Sequence, residues 1–112
     1  MEIDVLGTKY KIDYRKREDD KNLEQCDGYM DSSVKTIVVE DKEWEPMDKL
    51  DLNEYRKKVV RHEIIHAFLY ESGLDGSSMT TDGPWAKNEE MIDWFAIQSP
   101  KIIKAFEEAK CL

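Results

Sequence analysis

Both histidines of this chain fall in one short run, Arg61-His62-Glu63-Ile64-Ile65-His66-Ala67, which reads His-Glu-x-x-His. On an α-helix, residues four apart share a face and are separated by about 6 Å of axial rise. His62 and His66 can therefore aim one imidazole nitrogen each at a single metal ion. Glu63, roughly 100° further round, is too far round to ligate but well placed to reach a water on that ion. Zinc lowers the pKa of such a water to about 7. Glu63 could then take its proton, deliver hydroxide to a carbonyl and protonate the leaving amine.

Two histidines on a helix can also be ordinary polar neighbours. Context favours the metal. Ile64, Ile65, Ala67, Phe68, Leu69 and Tyr70 make this half of the helix apolar almost all round, so the imidazoles and Glu63 enter an interior that demands partners for them.

A catalytic zinc site commonly has three protein ligands and one open position. With both histidines used, the third ligand is a carboxylate or a cysteine. The best candidate is Glu89 in Asn88-Glu89-Glu90-Met91-Ile92-Asp93, which follows His66 by 23 residues, room for a loop and a return. Asp93, one helical turn after Glu89, shares its face and could hold the far nitrogen of a liganding histidine. Glu90 competes, but Trp94 stands where its acidic partner would be. An oxyanion would need a further donor, for which Tyr70 and Tyr29 are the candidates.

The elements that must position these groups follow from pattern. Ile3, Val5, Tyr10, Ile12 and Tyr14 alternate around Leu6-Gly7-Thr8-Lys9, which predicts a β-hairpin. Glu18 to Cys26, anchored by Leu23, predicts a short surface helix ended by Asp27-Gly28. A short strand from Tyr29, a turn at Asp31-Ser32-Ser33 and a strong strand over Val34–Glu40 follow. That last strand is expected beside the metal site, either offering a free edge to an extended substrate or lying centrally in the core.

Asp41 to Met47, with Trp44 and Pro46, reads as a connection. Asp51 with Glu54 forms an approximate capping box, with Asp48 as an alternative start, and Gly73 closes the motif helix after Ser72. Leu74 to Pro84 is a connector able to wall or cover the site. Trp85–Ile97 reads as a helix, and Ser99-Pro100 as the cap and first-turn proline of another, with Ile102, Ile103, Phe106 and Ala109 on its buried stripe.

The two acidic motifs resemble known metallopeptidases. His-Glu-x-x-His followed by Asn88-Glu89-x-x-x-Asp93 is similar to the gluzincin pattern, in which the later Glu completes the zinc site and the Asp supports a histidine. Glu89-x-x-x-Asp93-x-Phe95-Ala96 resembles the ImmA/IrrE family of small metallopeptidases, with Ile92 where that family usually has Ala and Asp93 where it usually has Asn. The metzincin pattern is absent, since Leu69 and Ser72 replace its Gly and His. The resemblance, over about 59–100, implies a Zn²⁺ endopeptidase with His62, His66 and Glu89 as ligands and Glu63 as the catalytic residue. It also implies a protein or peptide substrate, in characterised relatives a phage or mobile-element repressor.

The expectation is one α+β domain over residues 1–112. It is a minimal zincin-like unit with a small N-terminal antiparallel or mixed sheet, an active-site helix and two C-terminal helices. A zinc-bearing interaction module without peptidase activity is the rival, and a peptide-deformylase-like site using Cys26 a weaker one. Net charge is −8, from 25 acidic and 17 basic residues, and the basic clusters Tyr14–Arg17 and Arg56–Arg61 are interrupted or helical. This argues against direct nucleic-acid or membrane partners. The first residues do not resemble a signal peptide, and two cysteines, Cys26 and Cys111, fit a reducing cytoplasm better than a disulfide framework.

Overall fold

A computed structural model describes residues 1–42, 51–77, 79–80 and 83–112. Trp44, Pro46 and Asp48, on which the connection and the alternative helix start were read, lie outside the described residues.

Strands β1 (Glu2–Val5) and β2 (Thr8–Arg15) form the expected hairpin, with Val5 opposite Thr8. Its two-residue turn puts Leu6 at φ 51° and Gly7 at φ 90°. Two consecutive positive φ values match the right-handed twist of the flanking strands, and Gly7 takes its value without a Cβ penalty. The surface helix expected over Glu18–Cys26 is instead two 3-10 turns, Arg17–Asp19 and Lys21–Glu24, pinned by buried Leu23. Asp20 stands between them and accepts from the Asn22 amide, which ends one turn and caps the next.

β3 (Gly28–Asp31) and β4 (Thr36–Glu40) pair antiparallel, with Asp31 opposite Thr36. Val34 and Lys35, expected in the strand, belong to the turn: Lys35 has φ 51° and Val34 is exposed. β4 also pairs in parallel with β2, so the sheet is mixed, in the order β1-β2-β4-β3. All five β4 residues are buried, as a strand flanked on both sides requires. Among the described residues the free edge beside the candidate site is therefore β3, and β4 takes the central position.

Helix α1 (Leu52–Glu71) starts at Asp51, whose side chain accepts from the Glu54 amide, and stops before Gly73 at φ 82°. It lies across one face of the sheet. Val59 and Ala67 join Val5, Tyr10, Ile12, Ile37 and Val39 in the core. The apolar run after His62 is less enclosed than its composition implies, for Phe68 and Tyr70 are about two-fifths exposed.

After α1 come a short helix α2 (Leu74–Ser77) and a two-stranded ribbon, β5 (Met79–Thr80) with β6 (Gly83–Pro84). A 3-10 turn, Trp85–Lys87, leads into α3 (Glu89–Glu108), capped by the Asn88 side chain on the Met91 amide. α3 runs unbroken through Ser99-Pro100, where a new helix was expected. Pro100 has no N–H for the Ala96 carbonyl four residues back, and Arg61 Nε of α1 donates to that carbonyl instead, at 2.5 Å. The stripe expected to be buried in this half is open, with Ile103 and Phe106 nearly half exposed. The α+β class stands, with a mixed sheet first and helices after it. No helix among the described residues is long and apolar enough to cross a membrane.

Candidate metal centre

α1 and α3 supply the candidate ligands, and their caps fix where those ligands begin. Asn88 ends the preceding turn and starts α3, so Glu89 is the first residue of a helix whose N-terminus faces His62 and His66. The two oxygens of its carboxylate divide between the histidines. His62 Nε2 is 2.9 Å from Oε2, and His66 Nε2 is 2.9 Å from Oε1. One ligand atom from each of the three residues lies within 4.8 Å of the other two. Glu90, the competing third ligand, is exposed and outside this group.

Behind the triad, Asp93 Oδ1 lies 3.2 Å from His62 Nδ1 and 3.2 Å from Lys58 Nζ. Carboxylates thus face both ring nitrogens of His62, Asp93 at Nδ1 and Glu89 at Nε2; a cation at Nε2 would leave the ring proton on Nδ1, shared with Asp93. Lone pair against carboxylate is unfavourable unless a cation or a second proton lies between them. The donor set, two imidazole nitrogens and a carboxylate, is one that suits zinc. Burial pushes Asp93 upward, but its hydrogen bonds with Lys58 and His62 outweigh that and hold it below the ordinary carboxylate value.

No protein family, curated protein or solved structure matches the chain.

Glu63 is 7% exposed, with Oε1 3.9 Å from His62 Nε2. Burial pushes its carboxyl up to about 7, with His62 opposing the shift and Glu89 adding to it. His66 is displaced the other way, mainly by burial, which disfavours its charged form and keeps the ring a neutral ligand. Beside these groups lies an open cavity of about 540 Å³. One wall is β3 with its turn, through Gly28, Met30 and Ser32, and the opposite side carries Tyr70, Asp75 and Lys87. A neighbouring depression shares Tyr29, Met30 and Ser32 and runs on to Cys26, so the groove follows the β3 edge.

Of the two tyrosines considered as oxyanion donors, Tyr70 lines the cavity. Tyr29 lines it too, but its hydroxyl donates to Asp20 at 2.5 Å, which uses its only proton. Cys26 bonds the Asn22 carbonyl and lies outside the ligand group, so the deformylase-like arrangement has no geometric counterpart here. Sequence reasoning missed Lys58, although its position four residues before His62 put it on the same helix face. It also missed Asp75 and Lys87, for which no spacing gave a signal.

Proposed function

We propose that the chain is a zinc-dependent metallopeptidase of gluzincin type, acting on protein or peptide substrates. The observation that carries this reading is the carboxylate of Glu89 facing both Nε2 atoms of His62 and His66 at 2.9 Å. Zinc held by these three residues would supply Lewis acidity and lower the pKa of a coordinated water. Asp93 fixes the His62 tautomer. Glu63, buried but lining the cavity, takes a proton from the attacking water and returns it to the leaving amine. Tyr70 is the side-chain candidate for stabilising the oxyanion.

An extended peptide pairs along the free edge of β3, where the two depressions form one groove. The rival, a zinc-bearing interaction module, predicts an enclosed site. Glu89 is 68% exposed and opens on the cavity, which favours a site that admits substrate. A helix-turn-helix repressor of a phage or mobile element is the substrate suggested by the resemblance to ImmA/IrrE proteins.

Metal analysis of untagged protein tests the reading. About one zinc per chain, retained in Glu90→Ala and lost in Glu89→Ala, is the expected result. Absence of metal from the wild type after zinc addition would refute it.

A further inference from the structure

On the flank of α1 turned away from the triad, Asn53, Arg56, Lys57, Val60 and Arg61 follow at i, i+3, i+4, i+7 and i+8, forming one stripe. The end of β2 meets that stripe with Tyr14. Together they enclose an open depression of about 370 Å³. All the basic groups of this surface come from α1, and β2 contributes the Tyr14 ring.

The lining is rich in donors. Two guanidinium groups and an ammonium only donate, and the Asn53 amide and Tyr14 hydroxyl can do so as well. No acidic side chain lines the depression among the described residues, although the chain carries a net charge of −8. Partners outside the lining hold the cations: Arg56 Nη2 reaches the Lys42 carbonyl at 3.0 Å and Asp41 at 3.7 Å, and Lys57 reaches Glu54 at 3.3 Å. Arg61 is anchored by the Ala96 carbonyl. The Arg56–Asp41 and Lys57–Glu54 ion pairs are individually weak and exchange readily for a stronger anion, while Arg61 keeps its Nε on Ala96 and offers its remaining N–H groups.

Cations along a helix are commonly only solvated. Here they share a concavity with an apolar wall, made by Val60 and by the Tyr14 ring, which is 44% exposed. The Tyr14 hydroxyl has no hydrogen-bond partner among the described residues. A carboxylate has two oxygens and one charge. A phosphate monoester offers three terminal oxygens and a charge of about −1.5 to −2, a closer match to two arginines, a lysine and two neutral donors. The depression is also larger than a phosphate group, leaving room against Tyr14 for a flat ring to stack.

The geometry points to a binding site for a phosphate monoester bearing a planar ring, of mononucleotide size, separate from the metal centre. The test is an amide and arginine Nε NMR titration of the full chain with AMP, with inorganic phosphate, and with sodium chloride at matched ionic strength. Saturable shifts confined to Tyr14 and the α1 stripe are expected with AMP, with phosphate binding more weakly. Arg56→Gln and Lys57→Gln each weaken AMP binding about tenfold, and Tyr14→Leu weakens AMP but not phosphate. Lys57 is a 58%-exposed helix side chain, so its variant reads binding even if Arg56→Gln perturbs folding. Shifts reproduced by sodium chloride, or AMP shifts mapping elsewhere, would overturn the site. Equal binding of phosphate and AMP would overturn the assignment of a ring-bearing ligand.

Discussion

Arg61 Nε donates to the carbonyl oxygen of Ala96 at 2.5 Å, filling the hydrogen bond that Pro100 removes from α3. Ala96 is fully buried, so this carbonyl has little recourse to water. Arg61→Met should cost about 1–3 kcal/mol in urea unfolding. In a Pro100→Ala background, the new N–H satisfies the carbonyl within the helix, and the same substitution should cost clearly less. An equal cost in both backgrounds would show that Arg61 stabilises by some other route.

That pair also explains where sequence reading failed. The compensating donor is 35 residues from its acceptor, so local pattern made Ser99-Pro100 a helix start when tertiary contact makes it a helix interior. The stripe of Ile103 and Phe106 has the same period whether or not another element covers it. Strand order was equally hidden, because a strong β4 reads alike at an edge and in the middle. The candidate centre was far more legible. Helical spacing alone puts His62 and His66 on one face and Glu89 and Asp93 on another, and the ligand needs of a metal site were the reason to expect the two faces to meet, as they do. Asp75 and Lys87 reach the cavity through chain path, which no short pattern encodes.

Gly28 lets α1 approach β3. A Cβ there would lie 2.8 Å from Val59 Cγ1 and 3.0 Å from the Val38 carbonyl oxygen. Gly28→Ala should therefore destabilise by about 1–3 kcal/mol through overpacking. Val59→Ala removes one of the two clashes, so the double variant should be more stable than the sum of the single costs implies. Strict additivity in urea midpoints would argue that α1 yields without strain.

Glu71 ties the end of α1 to the sheet, accepting from Lys35 Nζ at 2.8 Å, Tyr10 Oη at 2.7 Å and Thr8 Oγ1 at 3.2 Å. The Lys35 and Tyr10 hydrogen bonds hold its carboxyl below the ordinary value of 4.5. A carboxyl depressed in the folded state contributes stability that is full above its unfolded value and is lost as pH falls through the folded one. Glu71→Gln should lower the urea midpoint near neutral pH and have a smaller effect at acid pH, once the wild-type carboxyl is also losing its charge. The same loss at both pH values would show that the carboxylate charge is not what matters.

Asp93 orients His62 from behind, 3.2 Å from Nδ1. Asp93→Ala should weaken zinc binding by about 10- to 100-fold in competition with a chelator. Asp93→Asn keeps an oxygen acceptor for Nδ1–H and should lose less. Unchanged affinity in Asp93→Ala would mean that Glu89 and the helix scaffold hold the ring unaided.

A Glu63 variant would separate metal binding from catalysis in the proposed mechanism. It is buried, neighbours His62 at 3.9 Å and lies outside the ligand group, so its proposed work is to move a proton. Glu63→Gln preserves shape while removing that capacity. The expected result is zinc content equal to wild type with peptide hydrolysis reduced by about 10²- to 10⁴-fold, read with a library of quenched fluorescent peptides. A variant that kept both zinc and full hydrolysis would remove Glu63 from the mechanism. Loss of zinc in Glu63→Gln would instead assign the residue to holding the metal centre.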